Sequence, residues 1–127
     1  PGVGNDGADE VQALFDEMGG LANRPWVMLS AGAGMDEFRN ILSHAYRAGA
    51  SGYLAGRAIW AGAIGLYPDW DAIRSGLREG SVPYMRDINA PTDEYATPWH
   101  AHPVFQGEAD LAVNDGAFRA HYPGMEA

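Results

Sequence analysis

The sequence contains no lysine: all eight of its basic residues are arginines, Arg24, Arg39, Arg47, Arg57, Arg74, Arg78, Arg86 and Arg119. No side chain among these 127 residues can therefore form an imine with a carbonyl substrate. Cysteine is also absent, which excludes disulfides and thiolate metal sites and fits a reducing compartment. Cationic charge is scarce. Eight arginines against seventeen acids leave a formal charge of −9, a surface that repels a phosphate backbone and argues against nucleic-acid binding. No run approaches the roughly 18 consecutive apolar residues of a membrane span. The acidic, glycine-rich N-terminus does not resemble a signal peptide, so no membrane role and a cytoplasmic location are expected.

What is present suits one small globular unit. Hydrophobic residues make up 46%, enough for a core and too many for a disordered chain. Residues 1–7 read as a loop and 8–18 as a helix, with Val11, Leu14, Phe15 and Met18 on one face and Gly19-Gly20 as its stop. Residues 25–30 form a short apolar run that suits a parallel strand buried on both faces. Residues 37–48 read as a helix behind Asp36 as N-cap, facing inward with Phe38, Ile41, Leu42 and Ala45. Residues 51–55 make a second strand. Residues 58–67 suggest a helix buried almost all round, and 71–79 an amphipathic helix with Ile73 and Leu77 inward. From Gly80 onward the periodicity fades, and Pro83, Pro91, Pro98, Pro103 and Pro123 predict a tail with little regular structure.

A strand–helix–strand order predicts a right-handed parallel βαβ unit. Two parallel strands leave both edges open, so either they complete a larger sheet or the sequence is a fragment. The strand ends, Leu29-Ser30-Ala31-Gly32 and Ala55-Gly56-Arg57-Ala58, fall where ligands bind in parallel α/β folds. The second carries the ingredients of a phosphate site. Gly56 allows close backbone approach, the following helix offers free amides, and Arg57 supplies a permanent planar cation. Ser30 adds a hydroxyl and Gly32 keeps its turn open. Neither short motif is specific by itself, and a surface arginine at an ordinary helix start fits the pattern equally well.

Longer strings tip that balance. Arg24-Pro25-Trp26-Val27-Met28-Leu29-Ser30-Ala31-Gly32 resembles the seventh-strand segment of the class I tagatose 1,6-bisphosphate aldolase family (DeoC/LacD-like aldolases, with the sulfofructose-phosphate aldolases). Residues 48–62, from Ala48 through Gly56-Arg57 to Gly62, resemble its eighth strand and following helix, in the same order and spacing. Thr97-Pro98-Trp99 is similar to the family's Ser-Pro-Trp. The resemblance covers roughly residues 21–100. It implies an α/β fold, the part of a (β/α)8 barrel holding strands 7 and 8 with their helices, whereas a whole barrel takes about 250 residues. It implies cleavage of a phosphorylated ketose to dihydroxyacetone phosphate and an aldehyde through a lysine Schiff base, with no metal or other cofactor and a homo-oligomeric parent. By the same resemblance Ser30, Gly32, Gly56 and Arg57 hold a substrate phosphate, and the imine-forming lysine lies upstream of Pro1. The resulting division is barrel units over 1–82 and a proline-rich tail over 83–127. On this reading the chain is the distal part of an aldolase and inactive alone. A non-catalytic phosphate-binding module, or a structural half-barrel, is the competing reading.

Other candidates carry less. His100, His102, His44 and His121 lack a carboxylate at ligand spacing and are read as surface histidines. Trp26 and Trp60 are read as packing anchors. Asp9-Glu10 and Asp36-Glu37 complement helix dipoles. Asp93-Glu94 is read as a solvated pair. Gly32-Ala33-Gly34 fails as a nucleotide fingerprint because Glu37 stands where the third glycine belongs.

Overall fold

A computed structural model describes residues 7–107; the expectations for residues 1–6 and 108–127, His121 among them, lie outside that range. Helix α1 (Ala8–Leu21) opens on the Gly7 amide, which donates to the Glu10 carboxylate at 3.3 Å. It buries Val11 and Phe15 against α2 (Met35–Arg47). Leu14 is left exposed because α2 covers only the Val11–Phe15–Met18 stripe. Gly19 and Gly20 do not end α1. They lie within it, and a Cβ on Gly19 would collide with the Ala48 carbonyl oxygen.

Strands β1 (Met28–Leu29) and β2 (Tyr53–Leu54) pair in parallel, Met28 beside Tyr53 and Leu29 beside Leu54. The hydrogen-bonded stretch is longer than the regular strands. Ser51 donates to Trp26, Met28 to Gly52 and Ser30 to Leu54, at 2.8–3.1 Å. Burial on both faces is not found. Met28 and Tyr53 pack against the helices, whereas Leu29 and Leu54, on the opposite face, are 53% and 62% exposed. Helices cover one face of this two-stranded sheet, and among the described residues no further strands close over the other.

Helix α2 starts earlier than expected. The Gly34 carbonyl accepts the Phe38 amide at 2.9 Å, so Gly34 is the N-cap and Asp36 sits in the first turn, paired with Arg39 at 2.8 Å. Phe38, Ile41, Leu42 and Ala45 form the buried face as expected, with Phe38 edge-on to Tyr53 at 5.9 Å. His44 is not a surface residue. Its ring lies flat on Phe15 at 5.7 Å, and Nδ1 is 2.8 Å from the Gln12 amide oxygen, which satisfies it in the α1–α2 seam.

Helix α3 (Arg57–Ile64) buries only Ala58 and Ala63, leaving Trp60 and Ile64 exposed, so it is not enclosed all round. The chain turns through Tyr67-Pro68 into α4 (Trp70–Gly76), whose N-cap Asp69 accepts the Asp71 and Ala72 amides at 3.1 and 2.9 Å. Ile73 is buried and a π turn, Leu77–Ser81, follows.

Residues 82–95 contradict the expectation of an irregular segment: they form a fourteen-residue helix, α5 (Val82–Tyr95). Pro83 falls in its first turn, directly after the π turn, where the Val82 amide still bonds back to the Leu77 carbonyl. Pro91 does cost an internal bond, and packing offsets it. Tyr84 and Ile88, one helical turn apart, are 3% and 0% exposed against α2. Three hydroxyl contacts pin the helix: Tyr84 to the Met35 carbonyl (2.9 Å), Tyr46 with Thr92 (2.6 Å) and Tyr53 to Asn89 (2.6 Å). Beyond it, the Thr97 amide donates to Ala50 at 3.0 Å and ties the chain to the start of β2.

Candidate anion-binding site at the strand ends

The parallel register carries both strand ends to the same rim. There a cleft of about 490 Å³ is lined by all four residues singled out in the sequence, Ser30, Gly32, Gly56 and Arg57, with Leu29, Leu54 and Trp60 among its other walls. Ser30 is buried, held by its amide on Leu54 (3.1 Å) and by its carbonyl, which accepts the Ala33 amide (2.8 Å). The turn between them needs two left-handed residues, Ala31 (φ 48°) and Gly32 (φ 91°). Glycine is the residue that adopts the second without strain. It also admits the Arg57 guanidinium: a Cβ on Gly32 would lie 3.4 Å from Nη2.

Arg57 is the first residue of α3, with Gly56 as N-cap. The amides of Ile59 and Trp60 both turn back to the Gly56 carbonyl, at 2.8 and 3.2 Å. Those of Arg57 and Ala58 precede the first helical bond and have no intrahelical acceptor. The rim thus combines free amides, the positive end of a helix and a guanidinium that joins no ion pair among the described residues. Among the described residues no carboxylate lines this cleft, despite the acidity of the chain. The arrangement can hold an oxyanion. Among the described residues it contains no nucleophile or proton carrier beyond the Ser30 hydroxyl.

Trp60 was misread as a packing anchor. It is 42% exposed and forms a wall of the cleft, because helical spacing puts residues 57 and 60 on the same side of α3. That three-residue interval was the available signal. Trp26 does pack against the core. Of the histidines, the His102 Nδ1 accepts the Val104 amide at 3.2 Å, and His100 stands edge-on to Trp99. Among the described residues no three acidic or imidazole groups gather as a metal site would require, and no helix is long and apolar enough to cross a membrane.

A second cleft, of about 600 Å³, lies between α2 and α5. Leu42, Tyr46, Ile88 and Pro91 make it largely apolar, with Arg39 and Arg47 at its edge. Arg39 is already neutralised by Asp36 and Asp87, at 2.8 and 3.4 Å.

A parallel βαβ unit with both strand ends on one rim is an α/β fold. Comparison with known proteins sharpens this. Residues 1–62 match the DeoC/LacD family aldolase. Over 95 residues the chain is 33% identical to tagatose 1,6-diphosphate aldolase 2 of Streptococcus mutans, covering 72% of this chain and 29% of that protein. It is 34% identical over the same length to tagatose 1,6-diphosphate aldolases of Staphylococcus aureus strains JH9 and Newman, with the same coverage. The chain belongs to the DeoC/LacD aldolase family. It spans about 29% of the length of these relatives.

Proposed function

We propose that this chain supplies the phosphate-holding rim of an aldolase, a lyase that cleaves a phosphorylated ketose such as tagatose 1,6-bisphosphate to dihydroxyacetone phosphate and an aldehyde. The observation that carries this reading is the convergence of Ser30, Gly32, Gly56 and Arg57 on one cleft in a chain of this family. In this assignment β1 and β2 are the seventh and eighth strands of a (β/α)8 barrel. The exposed Leu29 and Leu54 fit it, since in a closed barrel that sheet face points into a packed interior.

The four residues have separate roles. Arg57 grips two phosphate oxygens with its planar fork. The α3 amides and the Ser30 hydroxyl hydrogen-bond the rest, and Gly32 and Gly56 keep the backbone close. The lysine that forms the Schiff base comes from residues outside these 127, because none of these is a lysine. Phosphate binding contributes by fixing the ketose carbonyl in front of that lysine, so that binding energy remote from the reacting carbons orients them. A soluble, cytoplasmic enzyme is the matching context.

The test is steady-state kinetics on the full-length protein carrying this chain. Arg57→Ala removes two charge-assisted hydrogen bonds, each worth about 1.5–3 kcal/mol. KM for the phosphorylated ketose should rise at least tenfold, with little change for an unphosphorylated analogue. Unchanged KM and kcat refute the assignment and favour a rim that serves no substrate.

A further inference from the structure

Trp60 has an exposure its helix does not explain. Its neighbours on α3 are mostly small, yet a 42% exposed indole stands on the same side as Arg57. The nitrogen is the ring atom closest to Gly56. A Cβ built on Gly56 would lie 3.4 Å from Nε1, with Cε2 and Cζ2 at 4.0 Å. An indole N–H can only donate, so this nitrogen adds a donor to the rim. The two rim glycines are thus alike: each has a nitrogen donor over the place where its side chain would be, Arg57 Nη2 at Gly32 and Trp60 Nε1 at Gly56, both at 3.4 Å.

We propose that Trp60 is a specificity-determining residue of this cleft. Its N–H donates to one oxygen of the phosphate held by Arg57 and the first amides of α3. The inference rests on the phosphate reading above and deepens it. A phosphate monoester presents three terminal oxygens. Arg57 and the helix amides approach from two sides, and Trp60 supplies the donor for the third. A carboxylate has two oxygens and leaves the indole without an acceptor. Trp60 therefore selects a tetrahedral oxyanion over a planar one, which neither the guanidinium nor the helix end does alone.

The experiment uses the full-length protein with inorganic phosphate and acetate as probes, followed by proton–nitrogen correlation spectra of the indoles. Trp60→Phe identifies the Trp60 signal by its loss. In the wild type that signal moves downfield as phosphate is added and stays in place with acetate. Trp60→Phe weakens phosphate binding about tenfold, the scale of one hydrogen bond to a charged group, and leaves acetate unchanged. Replacing Trp60 by 3-benzothienylalanine keeps the bicyclic outline without the N–H and gives the same loss, which separates hydrogen bonding from packing. If Arg57→Ala abolishes phosphate binding while both position-60 replacements leave it intact, the Trp60 inference is wrong and the phosphate site stands. If phosphate does not bind the wild type, or binds Arg57→Ala as tightly as the wild type, the two readings fall together.

Discussion

Gly19 and Gly20 are neighbours in α1, and replacing each by alanine should change stability in opposite directions. Both are helical, so both gain about 0.5–1 kcal/mol from the lower entropy cost of ordering alanine. Nothing lies within 4 Å of a Cβ on Gly20, so Gly20→Ala keeps that gain, at the low end because the last turn frays. On Gly19 the new methyl would overlap the Ala48 carbonyl oxygen at the end of α2. That atom is backbone and cannot swing away, so α1 must lift off α2. Overpacking of this kind costs about 1–3 kcal/mol. The propensity gain is common to both variants, so their difference isolates the overlap at about 1–3 kcal/mol, Gly19→Ala being the less stable. Urea unfolding of the two variants measures it, provided the slope m is unchanged and the midpoint alone moves. If Gly19→Ala is as stable as Gly20→Ala, α1 and α2 do not approach as closely as described. The support beneath β2, and with it the placement of the rim, would then need revision.

Ile88→Ala should cost about 2–5 kcal/mol in the same assay, because Ile88 is fully enclosed between α5 and α2; a loss below about 0.5 kcal/mol would mean that α5 does not dock there. Alkali should destabilise the protein through its tyrosines. Burial raises the Tyr46 hydroxyl above the ordinary value of 10.0, against a smaller opposing effect of its Thr92 hydrogen bond, and burial likewise raises Tyr53 and Tyr84. Below 10.0 these phenols are neutral in both states and their full contribution is present; above it the unfolded chain loses protons first, so stability falls as pH rises. Unfolding free energy measured from about pH 8 to 11 should decline above 10 and decline less in Tyr46→Phe, and an unchanged slope in that variant would exclude Tyr46 as a source.

Local patterns in the sequence located the strands and the first four helices, because each has a stripe or a run that only one period fits. Phe38, Ile41 and Leu42 are such a stripe, and all three are buried. The rim was legible for the same reason: Gly32 and Gly56-Arg57 lie directly after strands, and the turn chemistry is written within a few residues. What was not legible depends on distant partners. Helix α5 carries two prolines and little periodicity, and it forms because Tyr84, Ile88 and Thr92 find α2 and its tyrosine. Gly19-Gly20 resembles a helix stop until Ala48 is placed against it. The Leu29 and Leu54 side chains looked buried because sequence reveals hydrophobicity, not whether a neighbour exists to cover it. Trp60 was missed because a tryptophan among small residues reads as an anchor until its surroundings are seen.

An acidic chain that offers an anion site is no contradiction, given the range over which charge acts. At physiological ionic strength exposed charges are screened beyond about 8 Å, so the net −9 sets long-range solubility and not the field inside a small cleft. Among the described residues Asp36 and Asp87 are paired with Arg39, and Asp71 with Arg74. The cleft itself is lined by a guanidinium, the Ser30 side chain, the Trp60 indole, glycine backbone and apolar side chains. Leu29 and Leu54 line it but are exposed, so a low local dielectric, and with it a stronger attraction of Arg57 and the α3 amides for an oxyanion, requires that they be covered. The same exposed leucines are unsatisfied without further strands. The proposed site and the open sheet face therefore make one demand: covering Leu29 and Leu54 would both complete the fold and dry the cleft in which, on the proposed reading, a phosphate is held.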